Sequence, residues 1–118
     1  MRKLYIVKKE EDFNNIIKKG KLNKNKYLVI YNIENNLPYD RFGVSVPKKL
    51  GNAVFRNKYK RKLRSIIDIY RKDCNNSKDY IIILRSKGKD LEFNELKESL
   101  ITLLKQGEKK WRKKIRKS

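Results

Sequence analysis

No histidine occurs in this chain. That removes the side chain used most often as a general acid–base or metal ligand near neutral pH. Cysteine is almost as scarce: Cys74 stands alone, so no internal disulfide can form, and a reducing cytoplasm is the expected setting. Followed by Asn75, Asn76 and Ser77, it reads as a loop thiol. No run of about 18 apolar residues is present, so nothing is long enough to span a bilayer. The N-terminus, MRKLYIVKKEED, is basic but lacks the apolar core of a signal peptide, and none is expected. Linkers rich in Pro, Gly or Ser are absent, as are internal repeats. Residues 1–118 are therefore read as a single domain, with a basic tail from about Lys105.

Acids are few, thirteen against thirty-three Lys and Arg. Glu10, Glu11 and Asp12 fall at the start of a helix, where negative charge complements the backbone dipole. Glu95 and Glu98 stand at i and i+3, with Asp90 and Glu92 nearby. Two carboxylates so spaced could hold Mg²⁺, although a solvated helix face is the better account of them. Catalysis by protein side chains thus has little to work with.

What the chain does have is positive charge, formally +20 at pH 7. That excess is a statement about partners, and it points to a polyanion. The concentration is greatest in RFGVSVPKKLGNAVFRNKYKRKLRSII, Arg41–Ile67, which holds nine Lys or Arg and no acid. Lys, Asn and Ile are all abundant, as AT-rich coding alone would make them, so the arginines weigh more. Four of the chain's nine, Arg41, Arg56, Arg61 and Arg64, lie in this stretch. Their planar forks grip phosphate bidentately, as lysine cannot.

Hydrophobic spacing supplies the elements. Phe13, Ile16 and Ile17 within Lys9–Lys19 predict an amphipathic helix stopped by Gly20. YLVIYNI (Tyr27–Ile33) and RFGVSV (Arg41–Val46) read as strands, joined by ENNLPYD as a hairpin or meander turn. In the second strand Phe42, Val44 and Val46 share one face, leaving Arg41, Gly43 and Ser45 on a small, polar one. Asn52 is placed to cap a helix reaching about Tyr70 or Lys72, with Phe55, Tyr59, Leu63, Ile66 and Tyr70 as its apolar stripe. Asn57, Arg61 and Arg64 fall opposite that stripe, flanked by Lys58 and Lys60, with Arg56 nearer its edge. DYIIILRS (Asp79–Ser86) reads as a central strand buried on both faces. A last helix, from about Phe93 to Lys105, carries Phe93, Leu96, Leu100, Leu103 and Leu104 at helical spacing. The class is α+β, with helices packed on a small mixed sheet in the order α–β–β–α–β–α.

A lysine-rich helix is often just a solvated face. Here the missing acids, the clustered arginines and Asn57 among them favour a surface that binds nucleic acid through phosphates. Tyr27 and Tyr31 share one face of their strand, so either could stack on unpaired bases. Ile17 reads as core, and periodicity leaves Tyr31 between core and contact. A general RNA-binding or ribosomal protein and a protein-only nuclease remain alternatives, the latter needing an acid cluster that is not apparent.

SVPKKLGNAVFRNKYKRKLR, Ser45–Arg64, resembles the signature of the bacterial ribonuclease P protein component, roughly S-V-x-K-K-x-G-N-A-V-x-R-N-R-x-K-R-x-x-R. EDFNNIIKKG, YLVIY, RFGVSV, DYIIILR and the final helix extend the likeness over nearly the whole chain. The resemblance implies an αβββαβα fold with a left-handed βαβ crossover, and a strand at Lys21–Lys24 that periodicity does not show. It implies a protein subunit that aids an RNA enzyme in removing the 5′ leader of precursor tRNA. The RNA would do the cleavage and hold most of the catalytic Mg²⁺, so no protein side chain is assigned to catalysis or metal. The implied partners are ribonuclease P RNA and precursor tRNA, with no membrane and no small-molecule substrate. By the same resemblance Arg56, Asn57, Lys58, Lys60, Arg61 and Arg64 form the face that docks on the RNA subunit. Phe13, Ile17, Tyr31, Ser45, Lys48 and Lys49 would hold the leader. Two positions depart from the family: Lys58 keeps a charge but loses the arginine fork, and Ile17 stands where a second aromatic is common.

Overall fold

The structure, a computed structural model, describes residues 2–117, and side chains over residues 2–106. Helix α1, Glu10–Lys19, opens with Glu10, Glu11 and Asp12 and closes at Gly20. A Cβ on Gly20 would lie 2.5 Å from the Ile16 carbonyl oxygen and 2.8 Å from that of Asn32. Glycine is required there by the close approach of two backbones, since its φ of −76° is ordinary. Strands β1 (Lys21–Lys24), β2 (Leu28–Glu34) and β3 (Arg41–Ser45) follow, then helix α2 (Ala53–Arg71), strand β4 (Lys78–Leu84) and helix α3 (Phe93–Lys117). Short 3₁₀ turns at Lys3–Tyr5, Lys48–Leu50 and Ser86–Asp90 complete the order, which is αβββαβα.

The sheet runs β1-β2-β4-β3. β4 is antiparallel to β2 and parallel to β3, so the two strands expected to form a hairpin do not touch. Residues 35–40 cross the end of β4 instead. The reason is that Tyr80–Leu84 is apolar on both faces and claims the interior position, with a neighbour on each side. Side chains then pin the crossing. Asn35 donates to the Tyr39 carbonyl (3.1 Å) and to Asp79 Oδ1 (2.9 Å), and the buried Asp40 carboxylate accepts from the Asn76 and Lys78 amides. Asn36 takes a φ of 58°, a left-handed conformation that asparagine tolerates. The true hairpin joins β1 to β2, where Asn25 Oδ1 accepts from the Tyr27 and Leu28 amides at 2.8 Å.

One face of the sheet, through Leu28, Ile30, Phe42, Tyr80, Ile82 and Leu84, packs against Tyr59, Leu63, Ile66, Ile67 and Tyr70 of α2 and Leu96, Leu100, Leu103 and Leu104 of α3. The expected stripe of α2 is thus the buried one, with Phe55 at its half-buried end, and Asn52 Oδ1 caps the helix by accepting from the Phe55 amide at 2.9 Å. Helix α3 differs from expectation at its start, where Phe93 remains 37% exposed. Its backbone runs through the basic tail to Lys117, while the side chains of residues 107–118 lie outside the described ones. Helix α1 covers part of the opposite face, burying Ile16 with Val7 and Ile81.

Candidate nucleic-acid interface

Strand register fixes which residues meet α1. Leu22, Tyr31, Ile81 and Gly43 form one rung across the sheet, and Lys24, Val29, Ile83 and Ser45 form the next rung on the same face. Above the first rung lies Phe13. A Cβ on Gly43 would stand 2.8 Å from Phe13 Cε2 and 2.9 Å from Ile81 Cδ1, so the ring occupies the space that a side chain would need. Phe13, Ile17, Tyr31, Ile33 and Ile83 are only partly buried around the small core of Val7, Ile16 and Ile81. They leave an apolar margin between α1 and the sheet. Ser45, half-buried, ends β3 at this margin, and Lys48 and Lys49 stand exposed on the 3₁₀ turn just beyond it.

This face is less polar than the alternation in β3 suggests. Gly43 is buried beneath Phe13, and β4 contributes Ile81 and Ile83. Arg41 is committed elsewhere: its Nε and Nη2 donate to the two Asp79 carboxylate oxygens at 2.9 and 2.5 Å. That hydrogen-bonded pair holds the guanidinium pKa above its ordinary value and withdraws Arg41 from the cationic cluster. Tyr27 also parts from Tyr31. It precedes β2 and packs beside Leu91 against the core of α2 and α3. Ile83 and Val29 were not among the expected site residues. A strand buried on both faces gives no alternation to read, and only register shows which of its isoleucines face α1.

The cationic side of α2 is as the helical period places it. Asn57, Lys58 and Arg61 are exposed, and Arg56, Lys60 and Arg64 are half-buried. Among the described residues none of these five cations forms an ion pair; the helix's one acid, Asp68, lies in its last turns, 3.6 Å from Arg71. Arg56 Nε is buried without a hydrogen-bond partner. Lys62, just off this face, lies 4.8 Å from the Tyr59 ring centroid. Glu95 Oε1 accepts from the Glu92 amide at 3.3 Å, as half of a capping box, and no group of three His, Cys, Asp or Glu gathers among the described residues.

A short 3₁₀ turn leads from a strand that borders an apolar margin into a basic helix, within an αβββαβα chain. Residues 1–108 match the protein family described as Ribonuclease P. The chain belongs to the ribonuclease P protein family. It is 38% identical over 119 residues to the ribonuclease P protein component of Bacillus cereus (strain AH820), covering 99% of this chain and 100% of that one. Among solved structures it resembles a Staphylococcus aureus RNase P protein mutant with defective mRNA degradation activity (TM-score 0.83, 39% identity, 90% of each chain). The RNase P protein of Thermotoga maritima is similar too (TM-score 0.80, 33% identity, 85% of this chain and 94% of that one). Ser45–Arg64, the stretch that resembles the family signature, runs from the end of β3 through the cationic side of α2.

Proposed function

We propose that this chain is the protein subunit of ribonuclease P and assists an RNA enzyme in removing the 5′ leader of precursor tRNA. The observation that carries the reading is the cationic face of α2, whose Arg56, Lys58, Lys60, Arg61 and Arg64 form no ion pair among the described residues, in a chain whose other sheet face bears the half-buried margin of Phe13, Ile17 and Tyr31. A duplex-like RNA presents phosphates and ribose, which Arg56, Lys58, Lys60, Arg61 and Arg64 can grip without reading sequence. Asn57 adds a neutral hydrogen-bonding group. A single-stranded leader instead presents unstacked bases, which Tyr31 and Phe13 can stack upon and Ile17 can pack against less well. Ser45, Lys48 and Lys49 would hold the adjoining backbone.

Cleavage is assigned to the RNA subunit. Mg²⁺ is likewise assigned to that RNA. No membrane or small-molecule substrate enters this account. No helix among the described residues is long and apolar enough to cross a membrane, and the cytoplasm is proposed as the compartment.

The leader site is tested by Tyr31→Ala. In complex with ribonuclease P RNA, the variant is expected to bind precursor tRNA about five-fold more weakly, near the low end for one stacked base because the ring is already half-buried. Binding of mature tRNA should hardly change. Equal losses for the two would remove Tyr31 from the leader site, and a wild-type protein indifferent to the leader would favour a general RNA-binding role.

A further inference from the structure

The segment ahead of α1 is fastened through one aromatic ring. Tyr5 ends the 3₁₀ turn Lys3–Tyr5, and the Arg71 guanidinium carbon lies 3.5 Å from its ring centroid. Tyr39 meets the same ring edge-on, with centroids 5.4 Å apart and planes at 82°. Both partners are themselves held. Arg71, the last residue of α2, has the Asp68 carboxylate 3.6 Å away, and the Tyr39 carbonyl accepts from Asn35 at 3.1 Å. Past Tyr5 the chain runs alongside β3: Ile6 bridges Phe42 in parallel, and the Val7 amide donates to the Phe42 carbonyl at 2.9 Å. The Val7 side chain is buried against Ile16 and Ile81, and α1 begins three residues later. Helix α1 packs chiefly on β2 and β4. The Tyr5 ring therefore ties the end of the cationic helix to the segment that leads into the roof of the apolar margin.

We infer that Tyr5, Tyr39 and Arg71 form a clasp that sets where α1 sits over the sheet, making Tyr5 and Arg71 positioning residues for leader binding. The inference rests on the leader reading above. Arginine suits the role because its planar guanidinium stacks on a ring face while its remaining N–H groups reach a carboxylate. Phe13 and Ile17 are carried by α1, so a small tilt of that helix changes their distance from Tyr31 and Ile83. Coupling through such a packed chain needs no contact between Arg71 and the leader.

Two measurements on Tyr5→Ala, Tyr5→Phe and Arg71→Ala test it. Hydrogen exchange on the protein alone should show the α1 amides, residues 10–19, exchanging about three- to ten-fold faster in both alanine variants, with the α2 amides unchanged. Tyr5→Phe, which keeps the ring, should match wild type. Bound to ribonuclease P RNA, the alanine variants should lose about three- to ten-fold in preference for precursor over mature tRNA, with affinity for the RNA subunit kept within about two-fold. Because Tyr5→Ala leaves the Arg71 charge in place, its loss would come from position and not from a missing cation. Unchanged α1 exchange overturns the clasp, whatever the binding shows. Faster exchange with leader preference intact overturns its role in leader binding. If wild type itself shows no leader preference, the leader reading fails, and the exchange result alone decides the clasp.

Discussion

Arg61→Ala is expected to weaken binding to ribonuclease P RNA by about 5- to 150-fold, the size of a lost charge-assisted contact of about 1–3 kcal/mol. Arg61 is the informative position because it is exposed on the face of α2 opposite the buried Leu63 and Ile66, so its removal leaves the core intact. Thermal stability should therefore stay close to wild type. If Arg61 neutralises one phosphate, the slope of log affinity against log salt should also shrink by about 1. Arg61→Lys keeps the charge without the fork and should fall between the two. Unchanged affinity at moderate salt would show that this face does not dock on the RNA.

Gly43→Ala should act on both stability and the proposed leader site. The added methyl would stand 2.8 Å from the Phe13 ring and 2.9 Å from the Ile81 side chain, closer than carbon atoms tolerate. Ile81 is fully buried in the central strand and has little room to yield. Phe13, on α1 and half-buried, is the side that must lift. Such overpacking is expected to cost about 1–3 kcal/mol in urea unfolding. With the roof displaced, preference for precursor over mature tRNA should fall as well. The double variant Gly43→Ala/Phe13→Leu separates the effects: a smaller side chain relieves the overlap and restores part of the stability, while leader preference stays low without the ring. Simple additivity of the two substitutions would contradict the contact.

The parts legible in the sequence are those encoded by near neighbours. The stripe of α2 from Phe55 to Tyr70, its Asn52 cap and the Gly20 stop of α1 all follow from residues within a few positions. The continuous apolar run of β4 announced an interior strand, and it has one. What escaped depends on distant partners. ENNLPYD carries turn residues and looks like a hairpin, but β4, contributed by a segment beyond the whole of α2, pairs with both flanking strands. Arg41 looked like one more free cation until Asp79, 38 residues on, proved to hold it. Strand β1, KLNK, offers a single apolar side chain and no alternation; the family likeness placed it, and periodicity did not. The cationic members of the proposed docking face could be grouped from helical spacing alone. The apolar margin could not, because Tyr31 and Ile83 are brought to one face only by the sheet register, and Phe13 only by the packing of α1 upon it.

The most direct test of the central claim is cleavage of precursor tRNA at low Mg²⁺ by a bacterial ribonuclease P RNA, with this protein, without it, and with the protein alone. Cleavage at the leader junction is expected to be strongly stimulated only when RNA and protein are present together. Cleavage by the protein alone would place the chemistry in its own side chains and contradict the account. Salt-sensitive RNA binding without stimulation would contradict it too, and would leave α2 a general grip on RNA.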